Sequence, residues 1–239
     1  IAFAGNQNWM ISQDQKGTLF MANNKGLLQF RGTDWKLNTS PNQSIVRSVK
    51  VIDEKICVGS YMDFGFWERH PNGELHYTSL ANQLNVAILE DEQFWNIIDY
   101  GEKIIFQSLN RLIITDIGNK KTQFVPTENT LLKSYKVGDK IYFQEAGKGL
   151  FEVKSGKAFL VNNNQVLKDN VIVGLYKKEG KLIILTDQSG FFLLENGQLK
   201  KWEIEGEKSL KGFKLYSSLR LSDGSFALGS IARGLIWID

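Results

Sequence analysis

Six short apolar runs, each just after a polar turn, recur about every 41 residues along this chain of 239 residues. Two ladders of glycine keep step with them, and evidence for helices is poor throughout. These observations predict an all-β fold, a β-propeller of six four-stranded blades forming a single domain over residues 1–239. A seven-bladed ring cut short is the variant reading.

The central strand of each repeat comes first. Residues 18–22, 55–59, 103–107, 140–144, 181–185 and 225–229 carry mostly consecutive apolar side chains. A strand buried on both faces reads this way. The first glycine ladder precedes the third strand, at Gly26, Gly65, Gly149, Gly190 and Gly234, with Arg111 in its place in the third repeat. The second follows that strand at Gly32, Gly73, Gly118, Gly156 and Gly197, in steps of 41, 45, 38 and 41 residues. The turns "HPNGEL" and "ENGQL" are hairpin signals in their own right.

The first repeat therefore reads as strands over residues 9–13, 18–22, 27–31 and 34–37. Such a sheet has two apolar faces and needs a neighbour on each. The blades are expected near 8–40, 44–80, 92–126, 131–162, 171–204 and 215–239. Residues 80–95 read as an insertion loop with a short helix, matching the long step from Lys55 to Lys103. The sixth repeat stops at "GLIWID", before an outer strand. Residues 1–4 are expected to supply that strand and close the ring; left open, the last blade exposes a sheet edge. The chain starts at Ile1 without a Met, so it is expected to be a piece of something longer.

Composition narrows the function classes. Hydrophobic residues make up 42% and charged residues 23%, as in ordinary globular proteins. The net charge of +3 is spread, with Lys120-Lys121, Lys177-Lys178 and Lys200-Lys201 far apart, so no nucleic-acid surface is expected. Cys57, the single cysteine, forms no internal disulfide or cysteine cluster and reads as a buried core thiol. No apolar run approaches the roughly 20 residues of a membrane span, so no membrane insertion is expected.

Signals for chemistry are weak. His70 and His76 flank a turn and read as exposed, and neither a metal site nor a cofactor is expected. No nucleophile elbow or phosphate loop is present. Asp63, Glu145 and Asp187 stand in equivalent loops, which keeps a carbohydrate-active enzyme as an alternative, because glycosidases need two carboxylates. Binding is the preferred reading. Loops between second and third strands carry Tyr61, Asp63, Arg111, Glu145, Asp187 and Arg233. Arg47 and Trp95 occupy matching places in the innermost strands of blades two and three. This mix of apolar walls and a few polar groups suits an oligosaccharide or peptide ligand. A protein-interaction or dimerisation scaffold, acting as a homodimer, is the competing class.

"NQNWMISQDQKGTLFMANNKGLLQFRGTDWKL" and "SIVRSVKVIDEKICVGSYMDFGFWER" carry a family resemblance. Gln13-Asp14, Gly17, Leu19-Phe20, residues 23–27, Phe30 and the Gly32 to Trp35 turn resemble the unit of the two-component regulator propeller. The second repeat keeps Arg47-Ser48-Val49, Val58-Gly59 and Phe64 to Trp67. The likeness covers six repeats by period and the first two by motif; the third lacks its glycine. The resemblance implies a periplasmic sensor region of a bacterial receptor. There it would be followed by an immunoglobulin-like domain, a membrane helix, and a histidine kinase or helix-turn-helix output. Other domains of the same receptor are then its partners.

Overall fold

The computed structural model describes residues 3–205, 210 and 212–238. The chain divides into two compact units, Ile1–Glu128 and Asn129–Asp239. The first unit holds three antiparallel sheets: β1 (Asn8–Gln13) to β4 (Asp34–Asn38), β5 (Val46–Ile52) to β8 (Leu75–Ser79), and β9 (Asn96–Tyr100) to β12 (Lys121–Pro126). In each, every strand pairs with the next along the chain. The middle strands are β2 (Leu19–Asn23), β3 (Gly26–Arg31), β6 (Lys55–Ser60), β7 (Phe64–Arg69), β10 (Lys103–Gln107) and β11 (Arg111–Asp116).

The second unit repeats the plan. One sheet runs through β13 (Leu131–Val137), β14 (Lys140–Glu145), β15 (Gly149–Lys154) and β16 (Lys157–Asn162). The next runs through β17 (Ile172–Lys178), β18 (Lys181–Thr186), β19 (Gly190–Glu195) and β20 (Gln198–Lys201). Among the described residues the last has three strands, β21 (Leu215–Arg220), β22 (Phe226–Ser230) and β23 (Leu235–Ile238). Of the residues expected to add its outer strand, Ile1 and Ala2 lie outside the described residues, and Phe3 and Ala4 lie in a turn and bend.

The all-β reading holds, and its physical causes are visible. The central strands are buried on both faces: Cys57, Val58, Ile105, Phe106, Phe143, Ile183 and Ile184 are fully enclosed. Side chains of adjacent sheets interleave into clusters, such as Cys57, Phe64, Phe94, Ile97 and Phe106 in the first unit. Burial pushes the Cys57 thiol up to about 12. The first glycine ladder marks a close approach. A Cβ at Gly26 would sit 2.5 Å from the Asn38 carbonyl oxygen, and one at Gly149 would sit 2.3 Å from that of Asn162.

Two short helices interrupt the sheets. The helix expected within 80–95 is α1 (Leu80–Gln83), capped by the Ser79 side chain, which accepts from the Asn82 N–H. The second, α2 (Gln165–Asp169), was not legible. It buries Leu167 alone, so it has no apolar period to read, and the Asn164 side chain caps it.

A repeated irregularity sets up the site. Five innermost strands skip one residue in register with their neighbours: at Trp9 in β1, Arg47 in β5, Leu132 in β13, Val173 in β17 and Tyr216 in β21. In the third sheet Trp95 takes the same place, one residue before β9, with its N–H on the Gln107 carbonyl at 2.8 Å. A bulge leaves the extra residue out of the ladder and re-aims its side chain.

Candidate functional site

In the first unit the re-aimed residues meet. The Arg47 guanidinium lies 4.4 Å from the Trp9 ring centroid and 4.7 Å from that of Trp95. The two indoles stand edge to face, 5.6 Å apart at 85°. Each ring face is electron-rich, so both attract the cation. Arg47 Nε donates to Gln93 Oε1 at 2.7 Å. The Trp9 indole N–H donates to Asn24 Oδ1 at 2.7 Å, which fixes that ring. The Trp95 Nε1 is buried with no hydrogen-bond partner among the described residues. Partial burial lowers the Arg47 pKa, with no charged neighbour contributing to the shift.

Residues 91–95 run beside this notch and supply Gln93 and Trp95 to it. Gln93 bridges Tyr61 across the gap between blades, and Met62 N–H donates to the Glu92 carbonyl at 2.8 Å. The Tyr61 hydroxyl donates to Asp91 Oδ1 at 2.5 Å, and that bond with the Asp91 charge raises the tyrosine pKa. Ser48 Oγ donates to the Phe94 carbonyl at 2.9 Å. A methyl at Gly59 would collide with this seam, 2.4 Å from Ser48 Oγ and 2.6 Å from Phe94 Cβ. The glycine is what lets the two blades close here.

The structure brings Arg47 and Trp95 together and sets Tyr61 on the adjoining strand end. It gives the other sequence candidates different surroundings. Asp63 accepts from the Tyr77 hydroxyl at 2.8 Å, the Ser79 hydroxyl at 2.7 Å and the Phe64 N–H at 2.9 Å. Burial and that carboxylate push the Tyr77 hydroxyl well above its ordinary pKa. Arg111 is spent on Glu92 and on the Ala87 carbonyl, the latter at 2.7 Å. In the second unit, Glu145 accepts the Asn129 N–H at 2.7 Å and Asp187 accepts the Val171 N–H at 3.0 Å. Both acids thus pin the chain entering their own innermost strand. Arg233 is exposed beside Phe213, 5.3 Å from its ring centroid.

His70 and His76 are exposed and stack on each other, ring centroids 3.9 Å apart. Among the described residues, no group of three or more potential ligands is arranged to hold a metal ion. No described helix is long and apolar enough to cross a membrane. Trp9, Gln93 and Glu92 were missed as site residues. Trp9 had a signal, since it shares a repeat position with Arg47 and Trp95. Glu92, inside "LEDEQFW", had none.

Consecutive antiparallel meanders, three in each unit with their apolar faces stacked within that unit, decide the architecture. The fold is a β-propeller. No family model matches this propeller chain, and no curated protein matches it. Solved structures do. The extracellular domain of a hybrid two-component system from B. thetaiotaomicron is similar, with a TM-score of 0.69 at 16% identity over 100% of this chain. This propeller spans 32% of that protein's chain. Streptogramin B lyase is similar with a TM-score of 0.67 at 11% identity, over 100% of this chain and 85% of its own. An ancestral GH74 enzyme has a TM-score of 0.68 at 13% identity, over 97% of this chain and 36% of its own. What these structures share with this propeller is the fold, and function has to be argued from the site.

Proposed function

We propose that this propeller is a non-catalytic, ligand-sensing module of a bacterial two-component receptor, placed in the periplasm, and that the Arg47 notch takes the ligand. The observation that carries the reading is a guanidinium held against two indoles, with only Nε bonded among the described residues. Ligand sites combine apolar walls with a few directed polar groups, and this notch has both. The sequence resemblance and the likeness to a receptor's extracellular domain support the sensor role.

A non-catalytic role is supported by the carboxylates. Asp63, Glu145 and Asp187 each accept hydrogen bonds from their own blade. A glycosidase needs two carboxylates free to face a substrate. Signalling would require the ligand to bind one receptor state better than another, because equal affinity shifts nothing.

The test is a thermal-shift screen of the chain against oligosaccharides and peptides, followed by calorimetry. A ligand present at 100 times its Kd adds about 2.7 kcal/mol to stability. Binding lost in Arg47→Ala and Trp95→Ala is the expected result. A blank screen with a concentration-dependent dimer would favour the scaffold role instead.

A further inference from the structure

We infer that the ligand group taken by Arg47 is a carboxylate, bound end-on by the two terminal guanidinium nitrogens, Nη1 and Nη2. The inference rests on the sensor reading above and names the chemistry of its site.

Four observations lead there. Among the described residues, Nε is the only guanidinium nitrogen of Arg47 with a hydrogen-bond partner, which leaves Nη1 and Nη2 open. That partner is the neutral amide of Gln93, so the cation is not compensated by it. Three carboxylates of the surrounding segments are engaged elsewhere, Asp91 by Tyr61, Glu92 by Arg111, and Asp63 by Tyr77 and Ser79, and Glu90 makes no contribution to the Arg47 pKa. The indoles and Gln93 hold the guanidinium at three points and so fix the direction its free edge faces.

A planar fork of N–H donors, fixed in direction and lacking a counter-ion, matches the two oxygens of a carboxylate. The flanking indoles strengthen the match by excluding water from one side of the pair. The buried, unpartnered Trp95 Nε1 is a further donor in the same cluster and adds no acceptor. A neutral sugar or alcohol offers hydroxyls but nothing to neutralise the charge.

The experiment titrates the full chain, at fixed ionic strength, with D-glucuronate, N-acetyl-trialanine, acetate, sulfate and D-glucose, followed by calorimetry and tryptophan fluorescence. At least one carboxylate probe is expected to bind and to change the fluorescence, with D-glucose inert. Glucuronate against the capped peptide distinguishes a sugar acid from a peptide C-terminus as the source. Arg47→Lys keeps the charge and loses the fork, so affinity should drop about tenfold or more with the melting temperature held. Arg31→Gln, at an exposed arginine of β3 with no part in the site, should bind as the unaltered chain does. Binding of sulfate alone, equal binding of glucose, or unchanged binding in Arg47→Lys would overturn the inference. A neutral oligosaccharide that binds at Arg47 and Trp95 would overturn it while leaving the sensor reading intact. No binding by any carboxylate probe also overturns it.

Discussion

Arg111 grips the buried Glu92 carboxylate with two bonds, Nε to Oε1 at 2.9 Å and Nη2 to Oε2 at 2.7 Å, across 19 residues of chain. The same carboxylate accepts the Leu89 N–H at 3.0 Å. The pair fastens the insertion between the second and third sheets to β11. That insertion carries Asp91, Gln93 and Trp95 to the notch. The arginine that interrupts the glycine ladder therefore has a local reason.

Removing one partner of this pair leaves the other buried and uncompensated. Glu92 is only 3% exposed. Arg111→Ala should cost about 3–5 kcal/mol, as should Glu92→Ala. Urea denaturation measures it, and the double variant should cost clearly less than the two single costs combined. Additive costs would show that the pair is not coupled.

Gly59→Ala should destabilise the chain by about 1–3 kcal/mol, because the new methyl overlaps Ser48 Oγ and Phe94. The added atom meets nothing at Gly73, where only the left-handed φ of 85° opposes alanine. Thermal melts of the two variants separate steric overlap from backbone strain. A Gly59→Ala chain as stable as the unaltered one would mean the seam between the second and third sheets gives way easily.

Gln144 is fully buried and bonds three backbone groups: the Leu167 carbonyl at 2.8 Å, the Asn170 carbonyl at 2.7 Å and the Ile172 N–H at 2.8 Å. It ties β14 to the segment holding α2 and to the start of β17. Gln144→Leu keeps the bulk and orphans those groups, at about 1–3 kcal/mol for each that finds no water. Hydrogen exchange should rise first at residues 167–172. Unchanged protection there would count against this tie.

Alkaline pH should unfold the protein, in part through Cys57. Its thiol is raised from an ordinary 9.0 to about 12 by burial. Between those values the unfolded chain releases a proton that the folded chain keeps. The contribution is complete below pH 9 and falls as pH rises toward 12, by about 1.4 kcal/mol per pH unit. Tyr77 acts in the same direction. Cys57→Ala should flatten the slope of stability against pH by one proton, measured by denaturant titration across that range. An identical slope in both proteins would show the thiol is not protected.

Strand positions were legible because they depend on local pattern. Buried central strands show as apolar runs such as "KICVG" and "KIIFQ", and left-handed turns show as glycine. Gly32, Gly73, Gly156 and Gly197 all adopt positive φ, while at Gly118 the turn passes that role to Lys120. The helix α2 escaped notice because one buried leucine makes no period. The candidate site was half legible. Arg47 and Trp95 could be placed at matching repeat positions, but nothing local says that their side chains touch.

The sequence by itself determined the strands, the turns, the six-fold repetition and the need for each sheet to be covered on both faces. Those follow from side-chain hydrophobicity and backbone freedom within a few residues. The tertiary structure alone decided which polar groups are spent and which remain available. Arg111, Asp63, Glu145 and Asp187 look like candidates in sequence, yet each is satisfied by a partner 14 to 19 residues away. Arg47 meets Gln93 from 46 residues away and, among the described residues, keeps its outer nitrogens open. The difference is made by the bulge geometry and by how adjacent sheets stack, which no single repeat encodes.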